Sequence, residues 1–582
     1  MESYIPSKVV CLFLVQFDVK VGYKLVWSKS TKEDFLTDTT SSNIEYKVLP
    51  SGLQEVSSST ILISHEYKGK LYFGLSQFHQ NEDELQVATG GAGVDRTQVK
   101  MFALGVICDN EQDSWKPNEF LHVGWEYGLL LKDKLLALFA STDDDGSGAL
   151  NDANKSLLEQ LYLTLTTTGD TSVSNNSYES QYHPLKQLPQ YFRILGPLVY
   201  QVYKQALLRK KILVVNHHHE NMNYTICAFN YIISLCSVIP FDVQAQLKQT
   251  IEKYTKGDPA SARTINAEFY STPLYNIGLH DIPSLPHHPG YIALTNDEMM
   301  MYQRGVFDIL VYLDQEYPKI ILCDAISNMT LPGASQYLKA SHHEYEDYLA
   351  VFQHINSGSV LEPQLWWSQD ATQSIGWQEY IWSAFSWFAS AGQEQPGNEQ
   401  YCPLMKDSED GDAVEEREEG DADADADTES IDDDAQDATA TTDVPEPAEI
   451  NTGSSGSTGT TLVGEPMEPP HLIPLNDLSI VDLIGRFHKR TRRLFYYINE
   501  IVMETIEYQL QGDDVGSYDA NNTLHQLNSR VVIELTYQDV HEAGFDPYMA
   551  LELEFLRQFV LLYWEPLVLD VEIGLGVQGI CC

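Results

Sequence analysis

Apolar and polar positions run along this chain in two rhythms. Lys8–Phe17, KVVCLFLVQF, is an unbroken apolar run. It is too short for a buried helix and predicts a strand covered on both faces. The polar break DVKVGY and the run KLVWS fold it back as a hairpin. STILISHEYKGKLYFGLSQF repeats the arrangement with Lys68-Gly69 at the turn, and MFALGVIC adds a strand. Leu121–Phe139 spaces Leu, Trp and Tyr as a helix does. The first third therefore predicts an antiparallel sheet with a helix or two, of α+β type.

The rhythm then changes. Asp143–Ser174 is polar, with one short helix at ANKSLLEQLYLTL. From Pro184 to about Ser390, helical patterns (ILGPLVYQVYKQALLRK, NYTICAFNYIISLCSVI) alternate with strand-like ones (KILVVN, TPLYNIGLHDI, YIALT, VFDILVYLD, PKIILCD). Such alternation predicts a layered α/β domain. After His471, Asn476 or Asp477 opens a long amphipathic helix reaching about Leu510. Thr536-x-x-Asp539 reads as a capping box, and Gly544 as the stop of that short helix. Asp546 and Pro547 open a further helix, DPYMALELEFLRQFVLLYW, and PLVLDVEIGLG is extended. The expected division is 1–140, 141–183, 184–390, 391–470 and 471–582.

Charge sharpens this division. The chain has 582 residues, 43% of them hydrophobic, nine tryptophans and a formal net charge of −48. That is enough apolar material for real cores, and the charge argues against a nucleic-acid partner. Between Lys406 and Glu449 stand 20 acidic and 2 basic residues, a net of −18, which leaves −30 for the rest. The acidic stretch and the following NTGSSGSTGTTLVGEPMEPP predict a disordered linker, because they bury too little to offset chain entropy. The opening residues have no basic n-region, and Glu2 excludes N-myristoylation. The most apolar window, Tyr224–Phe241, is short for a membrane span and contains Asn230 and Ser234. Six of the eight cysteines are scattered without a C-x-x-C. The expectation is a reduced cytoplasmic protein.

Few motifs carry chemistry. His217–His219 sit side by side, so their side chains do not converge on a metal, and a solvated loop is the simpler reading. Gly574-x-Gly576-x-x-Gly579 matches a dinucleotide fingerprint in letters but has three residues after it, too few for the helix it must open. Ser141–Asp152, STDDDGSGALND, resembles an EF-hand loop but has Ser first and Asp last, which favours a polar loop. No G-x-S-x-G, H-E-x-x-H or G-x-x-x-x-G-K-[ST] exists, so no catalytic residue, cofactor, metal or small-molecule substrate is expected. Arg486, Lys489, Arg490, Arg492 and Arg493 form a dense basic cluster. It suits an anionic surface, the acidic linker, or plain solvent on a helix face. Cys581 and Cys582 lack C-a-a-X spacing; they are candidates for acylation or double prenylation, or form an unmodified tail.

Four patches in order resemble the DENN-domain proteins, in the LCHN-like branch related to the Avl-nine-type trafficking proteins of fungi. They are Phe17-Asp18-x-x-x-Gly22-x-x-x-x-Trp27, YFGLSQF (Tyr72–Phe78), ALLRKKILVV (Ala206–Val215), and HEAGFDPYMALELEFLRQFVLLYW with the strand that ends in Cys581-Cys582. The resemblance implies a longin-like N-terminal lobe, a doubly wound central α/β lobe and a C-terminal helical region. It places Arg209, Lys210 and Lys211 in the last turn of a helix, where cations complement the carbonyl end. It further implies a Rab-type small GTPase as partner, in vesicle trafficking; the basic cluster and the terminal cysteines leave peripheral membrane association open beside it. On that reading the protein is a guanine-nucleotide exchange factor that stabilises the nucleotide-free GTPase. A scaffold that binds a GTPase or membrane without exchange stays open beside it, as does a hydrolase whose site leaves no motif.

Overall fold

The computed structural model describes residues 7–18, 21–36, 43–49, 57–81, 100–109, 123–141, 150–167, 182–216, 224–255, 269–303, 305–314, 316–323, 337–355, 363–374, 477–512 and 530–574. His217–His219, most of the Ser141–Asp152 loop, the acidic stretch, Gly576, Gly579, Cys581 and Cys582 lie outside them.

The first sheet contains β1 (Lys8–Asp18), β2 (Gly22–Ser30), β3 (Ser58–Tyr67), β4 (Lys70–Gln80) and β5 (Met101–Asp109). Its order is β2-β1-β5-β4-β3, and every pair is antiparallel. The unbroken run of β1 now has its cause. Leu12 and Leu14 pack with Leu131, Leu135, Leu158 and Leu161 on one face, while Phe13 and Val15 pack with Ile44 and Val48 on the other. The short helix α1 (Ile44–Val48) covers that second face. The first face carries α2 (Gly128–Ala140) and α3 (Asp152–Thr167). Thus the helix inside the segment read as polar loop is a layer on this sheet.

The central lobe begins with α4 (Leu188–Leu195) and α5 (Val199–Leu207). The sequence reads as one helix from Ile194 to Lys210, and the structure corrects this at both ends. Gly196 breaks it, with φ of 55°, and a Cβ there would stand 2.7 Å from the Trp367 ring. At the other end the helix stops at Leu207. The Lys210 amide bonds the Gln205 carbonyl and the Arg209 amide bonds that of Ala206, a Schellman closure. Arg209 occupies the left-handed position usual for glycine, with φ of 55°. Lys211 is not in a helical turn at all; it opens β6 (Lys211–Asn216).

Next come α6 (Tyr224–Cys236) and α7 (Phe241–Thr255), then β7 (Thr272–Leu274), β8 (Tyr291–Thr295), β9 (Ile309–Leu313) and β10 (Lys319–Leu322). Only the first three residues of TPLYNIGLHDI are strand. The sheet order is β10-β9-β6-β8-β7, with β6 parallel to β8 and β9, β7 parallel to β8, and β10 antiparallel at the edge. Ile212 and Val214 face the helical core, and Leu213 and Val215 face Leu285, Met300 and Phe307. Both faces are covered, as a parallel sheet requires. The chain continues through α8 (His342–Ile355) and α9 (Leu365–Gln369).

The C-terminal region is built on α10 (Asp477–Gly512), a helix of 36 residues. Its Phe487 packs on Phe192, Tyr200 and Tyr203, and Thr491 shares a 2.6 Å hydrogen bond with the Tyr203 hydroxyl. β11 (Val531–Thr536), α11 (Tyr537–Glu542), α12 (Ala550–Tyr563) and β12 (Val568–Gly574) follow, with β11 parallel to β12. The region is thus a parallel strand pair with helical crossover as well as helices. The Thr536–Asp539 capping box forms, and Gly544 takes φ of 86° after α11. Asp546 and Pro547 do not start α12. Asp546 instead caps a turn by accepting from the Tyr548 amide at 2.9 Å, and the helix begins at Ala550. No single helix among the described residues is long and apolar enough to cross a membrane.

Arg209 yields the first prediction. Its guanidinium donates to the carbonyls of Ala206 (2.8 Å) and Ser237 (3.3 Å), the ends of two helices. Arg209→Ala loses these bonds and keeps the strained backbone. Arg209→Gly loses them too but relieves the strain, and should be more stable than the Ala variant by about 1 kcal/mol. Urea midpoints for both variants test the ordering; equal midpoints would show that position 209 is not strained.

Candidate functional site

Two places gather functional groups from separate parts of the sequence. One is the seam between the first sheet and the central sheet. α1 presents Lys47, whose side chain is 8% exposed. Its ammonium lies 2.7 Å from Asp281 and donates to the Ser64 carbonyl at 2.7 Å. The Ser64 hydroxyl donates to the Tyr275 carbonyl and accepts from the Tyr275 amide, both at 3.1 Å. Asn276, left-handed at φ of 52°, donates its side-chain amide to the Lys47 carbonyl. Beneath them His65 is buried and bonds the Phe35 carbonyl at 3.0 Å. Burial, then the nearby Lys47 cation, pulls its imidazole down to about 4.

A cleft of about 130 Å³ opens on this seam. Tyr23 and Tyr46 form one wall, and Asn276, Leu279, His280 and Asn296 another. The Tyr46 ring lies 4.8 Å from His280 and 5.4 Å from Tyr23. Burial and then Tyr46 push the Tyr23 phenol up. Tyr46 and Leu279 remain 46% and 40% exposed. The lining is aromatic and amide-rich; its charges are the Lys47–Asp281 pair and Asp297, which accepts from the Met299 amide. Such walls grip an apolar or amide side chain; they are not arranged to activate a bond. Among the described residues no group of three His, Cys, Asp or Glu could hold a metal.

The other place is a buried charge cluster. Lys204 on α5 is 2% exposed and lies 2.9 Å from Glu344 on α8 and 2.8 Å from Glu552 on α12. Gln201 and the Ser341 amide each donate to Glu344 at 3.1 Å, and the Asp546 amide donates to Glu552 at 2.7 Å. Burial alone lowers a lysine, but here the two carboxylates outweigh it and hold Lys204 above its usual range. The carboxylates diverge. Burial raises Glu344; for Glu552 the lysine and the Asp546 amide overcome burial and lower it. Charges this deep act as a structural tie when they are paired; Glu344 Oε1 is held by its ion pairs to Lys204 and Arg490 without a hydrogen bond.

The five cations of the basic cluster part company. Arg490 turns inward, 3.5 Å from Asp347 and 3.8 Å from Glu344, between the rings of Tyr200 and Phe545. Arg492 pairs with Asp242 at 2.8 Å. Arg493 donates to the Glu542 carbonyl at 2.9 Å. Lys489 is exposed and Arg486 half-exposed, and neither meets a carboxylate among the described residues. Cys581 and Cys582 lie outside the described residues. Sequence reasoning missed Tyr46, Lys47, His280, Lys204, Glu344 and Glu552. Lys204 alone carried a signal, the single charged residue of its helix.

Comparison with known proteins adds the following. The family model of DENN domain-containing protein 11 matches residues 12–320, more than half of the chain, and a model described as a domain of unknown function matches residues 372–574. The chain is 26% identical over 325 residues to the uncharacterized protein ANR2 of Saccharomyces cerevisiae, covering 52% of this chain and 57% of that one. It is 20% identical over 316 residues to DENN domain-containing protein 11 of Danio rerio, covering 54% and 55%. It is 22% identical over 352 residues to an uncharacterized protein of Schizosaccharomyces pombe, covering 56% and 71%. The chain spans little more than half the length of the first two of these relatives.

Both places can be tested by unfolding. Lys204→Met strands two buried carboxylates and should cost about 3–5 kcal/mol. Adding Glu344→Gln and Glu552→Gln keeps the amide contacts and removes the stranded charge, so most of the loss should return. A triple variant no better than the single one refutes the tie. At His65 the folded pKa lies below the unfolded one, so its contribution is whole above about pH 6.5 and fades as pH falls toward 4. The full span is worth about 3 kcal/mol. The stability difference between wild type and His65→Gln should shrink by about that amount across this window; a flat difference contradicts a neutral buried imidazole.

Proposed function

The chain belongs to the DENN-domain family, alongside DENN domain-containing protein 11, and on that premise we propose that it regulates a Rab-type small GTPase in vesicle trafficking as a guanine-nucleotide exchange factor. The observation that supports this most is the cleft on the seam of two sheet lobes, with walls drawn from both. An exchange factor needs no nucleophile or base. It needs a surface that fits the GTPase better when the switch segments are displaced and the nucleotide is gone than when GDP is bound. A rigid seam with an aromatic recess suits that task. Tyr46, Leu279 and His280 offer contact area to a displaced switch segment, while Lys47–Asp281 holds the two walls at fixed spacing.

Loss of fluorescent GDP from a panel of Rab-type GTPases tests the proposal. The full chain should accelerate release from at least one member. Tyr46→Ala with His280→Ala should cut that acceleration about tenfold, the loss of a modest hot spot, with an unchanged melting temperature. Stable complex formation without faster release would make the protein a non-catalytic scaffold. Absence of binding to every GTPase would overturn both readings.

A further inference from the structure

We propose that the face formed by the start of α7 and the first half of α10 docks on an anionic lipid bilayer, with Phe241 as the side chain that enters it. The basic cluster alone does not carry this, because Arg490 is buried in its own network and Arg492 is neutralised by Asp242. What remains is selective. Arg486, Lys489 and Arg493 have no carboxylate partner among the described residues. One residue before Asp242, the partner of Arg492 on the same stretch of α10, stands Phe241, the first residue of α7, 72% exposed. A large aromatic at that exposure gains nothing from this fold.

The Arg492–Asp242 pair has a clear job on this reading. Arg492 Nε lies 2.8 Å from Asp242, and the Tyr496 hydroxyl donates to the same carboxylate at 3.2 Å. These contacts pin the first turn of α7 to α10 and hold Phe241 next to the cationic stripe. Val481, 62% exposed, adds a second apolar side chain nearer the start of α10. Cations reach phosphate and carboxylate headgroups, and an aromatic ring settles below them at the acyl boundary. The rest of the molecule favours the same orientation. A chain of net charge −48 is repelled by an anionic membrane unless it presents this face. At physiological salt the screening length is about 8 Å, so distant carboxylates oppose the contact only weakly.

The test uses the full chain carrying Cys581→Ser and Cys582→Ser, so that no terminal lipid contributes. Flotation with phosphatidylserine-rich vesicles should recover the protein, and with phosphatidylcholine vesicles should not; raised salt should release it. Each cation is worth about fivefold in partitioning, so Arg486→Ala with Lys489→Ala should lower it about 25-fold. Phe241→Glu should abolish binding while Phe241→Leu preserves most of it, and matched melting temperatures should show that both variants fold. The proposal is overturned by failure to bind phosphatidylserine vesicles. It is equally overturned by binding that ignores these substitutions, or by capture on polyglutamate that depends on the cations while Phe241 is immaterial, which would assign the face to an acidic protein. GDP-release activity in the same variants is measured without vesicles, so the result stands apart from exchange activity.

Discussion

One lysine fastens three distant stretches of this chain together. Lys204 comes from the helix before the central sheet, Glu344 from the helix after it, and Glu552 from the last helix. None of the three charges is tolerable alone at this depth, where an isolated ion costs several kcal/mol. Together, with Gln201 and the amides of Ser341 and Asp546, they offset one another, while Glu344 Oε1 is held by the charges of Lys204 and Arg490 without a hydrogen bond. Apolar packing between α5, α8 and α12 supplies most of the driving force but tolerates sliding; a triad of hydrogen-bonded charges does not. The C-terminal region is thereby set against the central lobe in one register, and α10 lies along the aromatic ridge of Phe192, Tyr200 and Tyr203.

The seam repeats the device on a smaller scale. Lys47 is again a buried cation from one lobe met by a carboxylate, Asp281, from another, with Ser64 and Asn276 closing the network. One continuous apolar core runs through both lobes, and Phe73 of the first sheet packs on Tyr275 at 5.6 Å, so apolar packing joins them. The polar ties add directional contacts to that packing. A recess between two lobes joined in this way keeps its shape because its walls are bolted.

Much of the architecture was legible in the sequence, for reasons that can be named. β1, β5 and β6 announce themselves because strands covered on both faces leave nearly uninterrupted apolar runs. The Thr536 capping box was legible because its hydrogen bonds join residues three apart. What failed was conformational or long-range. Arg209 in a left-handed turn ends a helix where a cation suggests continuation, and Asp546 caps a turn rather than the helix it precedes. α7 and α8 are only moderately amphipathic, so their helical period does not stand out in the sequence. Neither the Lys204 triad nor the Tyr46–His280 recess could be read, since their members are neighbours only after folding. The basic cluster was visible as composition, but which of its cations face water depends on Asp242, Asp347 and Glu344.

The separation within the triad has a consequence for biosynthesis. Lys204 and Glu552 stand 348 residues apart. At a ribosomal rate of about 5–20 residues per second, the wait between them is roughly 17–70 seconds. During that interval the central helix carries an ammonium with at most one of its two carboxylates, and the aromatic ridge stays open until α10 emerges. The central lobe can collapse around its own sheet but reaches its final state only after Glu552 has been made. Closure is therefore staged: α10 emerges first and covers the aromatic ridge, and Glu552 on α12 then completes the triad.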